Sequence, residues 1–199
     1  MNIDQLLKSV SKPGRYTGGE WGQTIKDKQD IKCRWAFCFP DTYEIGMSNL
    51  GIRLLYGALN EQPDVWCERC FAPWTDMEAE MRRHHIPLWA LESGDPIKSF
   101  DIVAFTLGYE LSYSNVLYML DLAGIPFYAK DRGEEYPIIC AGGPCAVNPE
   151  PFAPFCDCVI IGEGEEADLA LLRLVAEGKE KGLSKAEILR EAKSITGIY

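Results

Sequence analysis

The sequence has no run of about 20 apolar residues with which to cross a bilayer. Its opening, Met1-Asn2-Ile3-Asp4-Gln5, lacks the basic region and apolar core of a secretory signal, so a cytoplasmic chain with no membrane contact is expected. Positive charge is also scarce. With 20 Lys and Arg against 30 Asp and Glu, the net charge of −10 repels a phosphate backbone and sets generic nucleic-acid binding aside. Gly162-x-Gly164 lacks the third glycine of a dinucleotide fingerprint, which leaves it weak support for a nicotinamide cofactor. The pair Cys67-x-x-Cys70 lacks a second pair at zinc-ribbon spacing, and in a strand its two side chains would face opposite sides. Without an export signal, the eight cysteines read as reduced core thiols.

What is present suits one globular unit, since 199 residues at 47% hydrophobic content can bury a single substantial core. Residues 1–30 begin with an amphipathic stretch at Ile3, Leu6, Leu7 and Val10. They continue through Pro13 to Glu20, too rich in Pro and Gly for a regular element, and read as an arm packed onto something else. Five nearly continuous apolar runs follow: Arg34–Phe39, Val65–Phe71, Ile102–Leu107, Ile138–Ala141 and Cys158–Ile161. Such runs suit strands covered on both faces. Helical patterns separate or follow them at Leu50–Asn60, Thr75–His84, Ser112–Ala123 and Glu165–Glu177. The last carries Leu169, Leu172 and Val175 on one stripe.

The alternation predicts a doubly wound α/β fold with a mainly parallel five-stranded sheet in the order 2-1-3-4-5 over residues 31–180. Ile86–Leu91 reads as a short extra strand, confined to an edge by Pro87. Ser184-Lys185-Ala186-Glu187 is a capping-box start for a last helix within residues 181–199, and the chain is expected to be a fragment of something longer. His84 and His85, beside Arg82 and Arg83, suit the negative end of a helix better than a metal. Trp66, Phe71, Trp74 and Trp89 read as core or interface, not as a stacking platform.

In an open parallel sheet, the loops that leave the carboxyl ends of the strands converge on a crevice at the switch point. Those loops hold Asp41 to Gly46, Thr106 to Ser112, Gly142 with Gly143, and Gly162 to Glu165. Glycine lets a ligand approach bare backbone, and the Thr106 and Ser112 hydroxyls suit amides or a nucleotide tail. The structural alternatives are a plain strand-to-helix turn at 41–46 with Ser48 or Asn49 capping the next helix, a tight turn at the glycine pair, and helix-start carboxylates at Glu163, Glu165 and Glu166.

These loops resemble the cobalamin-binding domain of methionine synthase and methylmalonyl-CoA mutase type enzymes, whose signature is D-x-H-x-x-G, then S-x-L, then G-G. Asp41 and Gly46 match the first element, Gly142 and Gly143 the third, and Thr106, Leu107 and Ser112 stand loosely for the second, while Tyr43 replaces the histidine. Gly142-Gly143-Pro144, Pro149-Glu150 and Val159-Ile160-Ile161-Gly162-Glu163-Gly164-Glu165 resemble more closely the N-terminal domains of cobalamin-binding radical S-adenosylmethionine (SAM) proteins. In a fused group of these, a segment like Pro40 to Gly51 stands in for the histidine motif.

The resemblance implies a Rossmann-like, flavodoxin-like domain that binds cobalamin, with Asp41, Tyr43, Gly46, Thr106, Ser112, Gly142, Gly143 and Glu163 around it. Tyr43 is expected beneath the corrin, the glycine pair beside the tail and Glu163 near the ring edge. A phenol with a pKa of about 10 is a poor metal ligand at neutral pH, so no protein ligand to cobalt is expected. The resemblance places S-adenosylmethionine and a 4Fe-4S cluster in a downstream radical SAM domain of the same polypeptide, because the CxxxCxxC motif of that chemistry is absent here. The rival readings are a docking domain with an empty crevice and a flavodoxin-like or receiver-like signalling module. A receiver would need an aspartate where Phe105-Thr106-Leu107 stands.

Overall fold

The computed structural model describes residues 3–199, so the first two residues of the arm lie outside the described residues. Five strands form one sheet: β1 (Cys33–Phe39), β2 (Val65–Phe71), β3 (Ile102–Thr106), β4 (Ile138–Gly142) and β5 (Cys158–Val159). Their order is β2-β1-β3-β4-β5 and every neighbouring pair is parallel. This is the expected doubly wound, flavodoxin-like arrangement.

The helices are α1 (Ile3–Leu6), α2 (Tyr43–Ser48), α3 (Leu50–Asn60), α4 (Thr75–His84), α5 (Tyr113–Ala123), α6 (Gly164–Lys181) and α7 (Lys185–Ala192). They cover both faces, which is why the strands read as continuous apolar runs. Ala36 and Cys38 of β1 join a core with Met77 and Met81 of α4 and Val116, Met119 and Leu120 of α5. Trp35, Phe37 and Phe39 point the other way, into a second core with Ile52 and Leu59 of α3 and Leu171, Leu172 and Val175 of α6. Each fully buried aliphatic side chain here contributes about 2 kcal/mol. Ile188 and Ala192 of α7 belong to the second core, and Ser184 and Glu187 form the expected capping box.

Cys67 and Cys70 lie in opposite cores, as their spacing on β2 requires. The described cysteines are free thiols, all buried except the half-buried Cys145. Trp66, Phe71 and Trp89 are buried, while Trp74 is half exposed. His85 ends α4 in the left-handed region at φ 52°. Among the described residues, no helix is long and apolar enough to cross a membrane.

The expected extra strand at Ile86–Leu91 does not form. Trp89 makes one isolated antiparallel bridge with Pro96, and Leu91 N–H donates to the Arg69 carbonyl at 2.8 Å. The β2 edge is closed by side chains instead. The Glu92 carboxylate accepts from the Arg69 backbone N–H and from its guanidinium, at 2.7 Å each, and the Arg69 guanidinium also reaches Glu20. The arm packs along this same edge: Trp66 Nε1 donates to the Thr24 carbonyl, and the Lys26 ammonium to the Asn60, Gln62 and Val65 carbonyls. β5 is shorter than expected, and beside it Ile160 bridges to Ile198 while the backbones of Val159 and Tyr199 exchange two 2.8 Å hydrogen bonds.

Candidate functional site

All five strands run the same way, so the four loops of interest leave the same end of the sheet. Three of them are tied to one another. Tyr109 Oη donates to Asp41 Oδ2 at 3.0 Å and Asn115 Nδ2 to the Pro40 carbonyl at 2.9 Å, which joins the loops after β1 and β3. Leu107 N–H donates to the Gly142 carbonyl at 2.7 Å, and Cys145 N–H to the Leu107 carbonyl at 3.0 Å, which joins the loops after β3 and β4.

Between this end of the sheet and helices α3 and α6 lies a cavity of about 280 Å³. Phe37, Ile52, Leu55 and Ile160 make it apolar, and Gly142, Gly143, Gly162 and Gly164 present backbone to it. Thr106 sits at the lip where β3 ends. Gly143 is required by the backbone itself: its φ is 101°, and a Cβ would lie 3.1 Å from the Leu107 carbonyl oxygen.

Thr106, Gly142 and Gly143 are thus brought together. The other expected residues sit around them in different roles. Ser112 is buried, and its hydroxyl donates to the Tyr109 carbonyl at 2.6 Å, closing the turn before α5. Asp41 accepts from its neighbour's backbone, Thr42 N–H at 2.7 Å, as well as from Tyr109. Glu163 holds the N-cap position of α6 but makes no side-chain cap, and it is exposed. The plain turn reading is right for Asn49, whose side chain accepts from Ile52 N–H at 3.0 Å and starts α3.

Tyr43 and Gly46 share one face of α2, and that face turns toward β2. The Tyr43 ring meets Phe71 edge-on at 5.5 Å, and a Cβ on Gly46 would fall 2.2 Å from the same Phe71 ring. Neither residue lines the cavity. Burial and the nearby Glu20 carboxylate push the Tyr43 phenol above its ordinary pKa, keeping it protonated. Both histidines end α4, and a helix that follows a strand of a parallel sheet runs back to the sheet's opposite end. No imidazole of the described residues therefore stands at this mouth.

Sequence reasoning missed Asp168. It lies on the buried stripe of α6, in phase with Leu171, Leu172 and Val175, is only 4% exposed, and lines the cavity. Its carboxyl has no hydrogen-bond or ion-pair partner among the described residues. Burial, and next the Glu165 charge, push its pKa to about 7. The signal in the sequence was a charge at a position where helical phase demands an apolar residue.

The profile of a family described as radical SAM proteins, N-terminal, matches residues 51–199, three quarters of the chain. The chain belongs to that family. An uncharacterized protein of Methanocaldococcus jannaschii is 30% identical over 139 residues, a match that takes in 68% of this chain and 25% of that protein. The chain thus spans about a quarter of the length of this relative. No solved structure matches it.

Proposed function

We propose that this N-terminal module holds a corrinoid at the carboxyl end of its sheet for a downstream radical SAM domain of the same polypeptide, which would carry S-adenosylmethionine and a 4Fe-4S cluster. The supporting observation is the cavity itself: apolar, with glycine backbone in its wall, and bounded by the ends of β3 and β4, the loop after β5, and helices α3 and α6. About 280 Å³ suits a heterocyclic nucleotide tail and is too small for the macrocycle.

On this reading Gly142 and Gly143 would hold the tail, and the residues around the mouth would hold the ring. Leu50, Leu54, Leu111 and Val147, all more than half exposed, follow the same strand ends and offer it an apolar rim. A bound corrinoid would supply cobalt-centred methyl or radical transfer. The residues of this chain bind and orient it, shield the tail from water, and offer no ligand to the metal. Asp41, held by Tyr109, fixes the first loop against the third.

A docking domain with an empty crevice is the second reading. It draws on the packing of Tyr43 and Gly46 against Phe71, which uses two motif residues without any ligand. Calorimetric titration with cobalamin and with cobinamide, which has no nucleotide tail, separates the two. A tail pocket gives cobalamin an affinity at least about tenfold higher, roughly 1.4 kcal/mol. Equal affinities would refute the tail pocket, and no binding of either would favour docking.

A further inference from the structure

An isolated carboxyl lining an open-mouthed, mainly apolar cavity has no structural use that the fold reveals. Asp168 forms no ion pair, caps no helix and supports no loop among the described residues. One turn before it on α6 stands Gly164, where an added Cβ would lie 3.2 Å from Asp168 Oδ2. Carboxyls on the buried face of a helix nearly always have a protein partner, which makes the partner's absence informative.

We infer that Asp168 is the anchor for a nitrogen heterocycle, a flat apolar ring system with one weakly basic ring nitrogen, that enters the cavity and takes a hydrogen bond from the protonated carboxyl. This rests on reading the cavity as a ligand pocket, and it does not require the ligand to be a corrinoid. Three arguments select the class. The walls at Phe37, Ile52, Leu55 and Ile160 reward apolar area, so the ligand's body is hydrocarbon-like. Among the described residues the only charged side chain in the lining is Asp168, so a phosphate or carboxylate finds no cation there and meets a titrating acid. A carboxylic acid and an azole of similar proton affinity share one proton with no net charge carried inside. An aliphatic ammonium would instead require a fully desolvated ion pair.

The groups that face Asp168 add no competing cation. Burial, and next Glu165 on its own helix, raise its proton affinity; the thiols of Cys140 on β4, pushed up by its hydrogen bond with Cys158 and by burial, and of Cys67 on β2, pushed up by burial, stay protonated. Leu55 of α3 completes the surroundings with carbon.

The test titrates the whole chain with free 5,6-dimethylbenzimidazole and with its carbocyclic analogue 5,6-dimethylindane, by calorimetry or ligand-observed NMR, at about pH 6 and about pH 8.5. The expected result is binding of the base that weakens about tenfold or more over that range, as the shared proton is lost. The indane should bind more weakly at the lower pH and without pH dependence. Asp168→Asn, of nearly the same shape, should keep its far-ultraviolet circular dichroism and lose the pH dependence. Equal affinity for base and indane, tighter binding at the higher pH, or an unchanged profile in Asp168→Asn would each overturn the inference. Retention of hydroxocobalamin, measured alongside, keeps the two readings apart. Corrinoid binding that ignores Asp168→Asn sinks only this inference, and base binding without corrinoid binding sinks only the corrinoid.

Discussion

A Cβ placed on Gly46 would lie 2.2 Å from Cε1 of Phe71, so the glycine that closes the Asp41-x-Tyr43-x-x-Gly46 pattern is held by the packing of α2 on β2. Gly46→Ala should therefore destabilise the chain by about 1–3 kcal/mol through overpacking. Urea unfolding of Gly46→Ala, Phe71→Leu and the double variant checks this. The double variant should be more stable than the sum of the two single losses predicts. Simple additivity would show that the two side chains do not meet.

Tyr43→Phe tests the position of that phenol. The ring keeps its edge-on contact with Phe71 and the chain loses only the phenol's interaction with the Glu20 carboxylate, so stability should fall by no more than about 1 kcal/mol. The absorption spectrum of bound hydroxocobalamin should also be unchanged. A spectral shift would place the phenol beneath the ring after all.

Asp168 makes stability fall as pH rises. Its folded pKa of about 7 lies above the unfolded value near 4, so the folded chain holds a proton that the unfolded chain has released between these limits. The penalty is absent below about pH 4, grows from there to about pH 7, and is complete above it. Three pKa units correspond to about 4 kcal/mol as an upper bound. Asp168→Asn should be roughly 2–4 kcal/mol more stable than the parent at about pH 8 and equal to it at about pH 4, by chemical denaturation at both. A difference that does not change with pH would exclude a buried, proton-holding carboxyl.

Arg69 bridges Glu92 at 2.7 Å and Glu20 at 2.9 Å while its guanidinium lies 4.6 Å from the Tyr56 ring centroid. Removing it in Arg69→Met leaves two carboxylates facing each other on the covered β2 edge. A loss of about 3–5 kcal/mol is expected, read from the urea midpoint. A loss below about 1 kcal/mol would mean that water reaches this edge.

The fold was legible because the physics that sets it is local and repeated. Runs such as Ile102 to Phe105 have no polar face, and the helices between them carry single apolar stripes, so a parallel sheet covered on both sides was the one consistent assembly. The β2 edge was harder to read. Glu68 and Arg69 interrupt its apolar run and are nonetheless buried, because Arg34 and Glu92, which are distant in sequence, pair with them.

At the site, spacing placed Thr106, Gly142 and Gly143 together, since strand ends are fixed by topology. It gave no hint that Tyr43 and Gly46 turn toward Phe71, because the rotation of a six-residue helix depends on what it packs against. Asp168 is not legible from the loop motifs, because its unpaired charge lies on the buried stripe of α6.

The central claim is a cavity at the sheet's carboxyl end that seats a corrinoid by its tail. Its most direct test is the ultraviolet-visible spectrum of the chain after incubation with hydroxocobalamin and gel filtration, beside Gly142→Val. A side chain at Gly142 begins at ordinary contact distance, 3.6 Å from Ile160, and so narrows the cavity without a clash. A retained chromophore near one equivalent is expected, with no sign of nitrogen ligation from the protein, and its loss in Gly142→Val. A parent chain that emerges colourless, or a Gly142→Val variant that retains as much corrinoid as the parent, would contradict the claim.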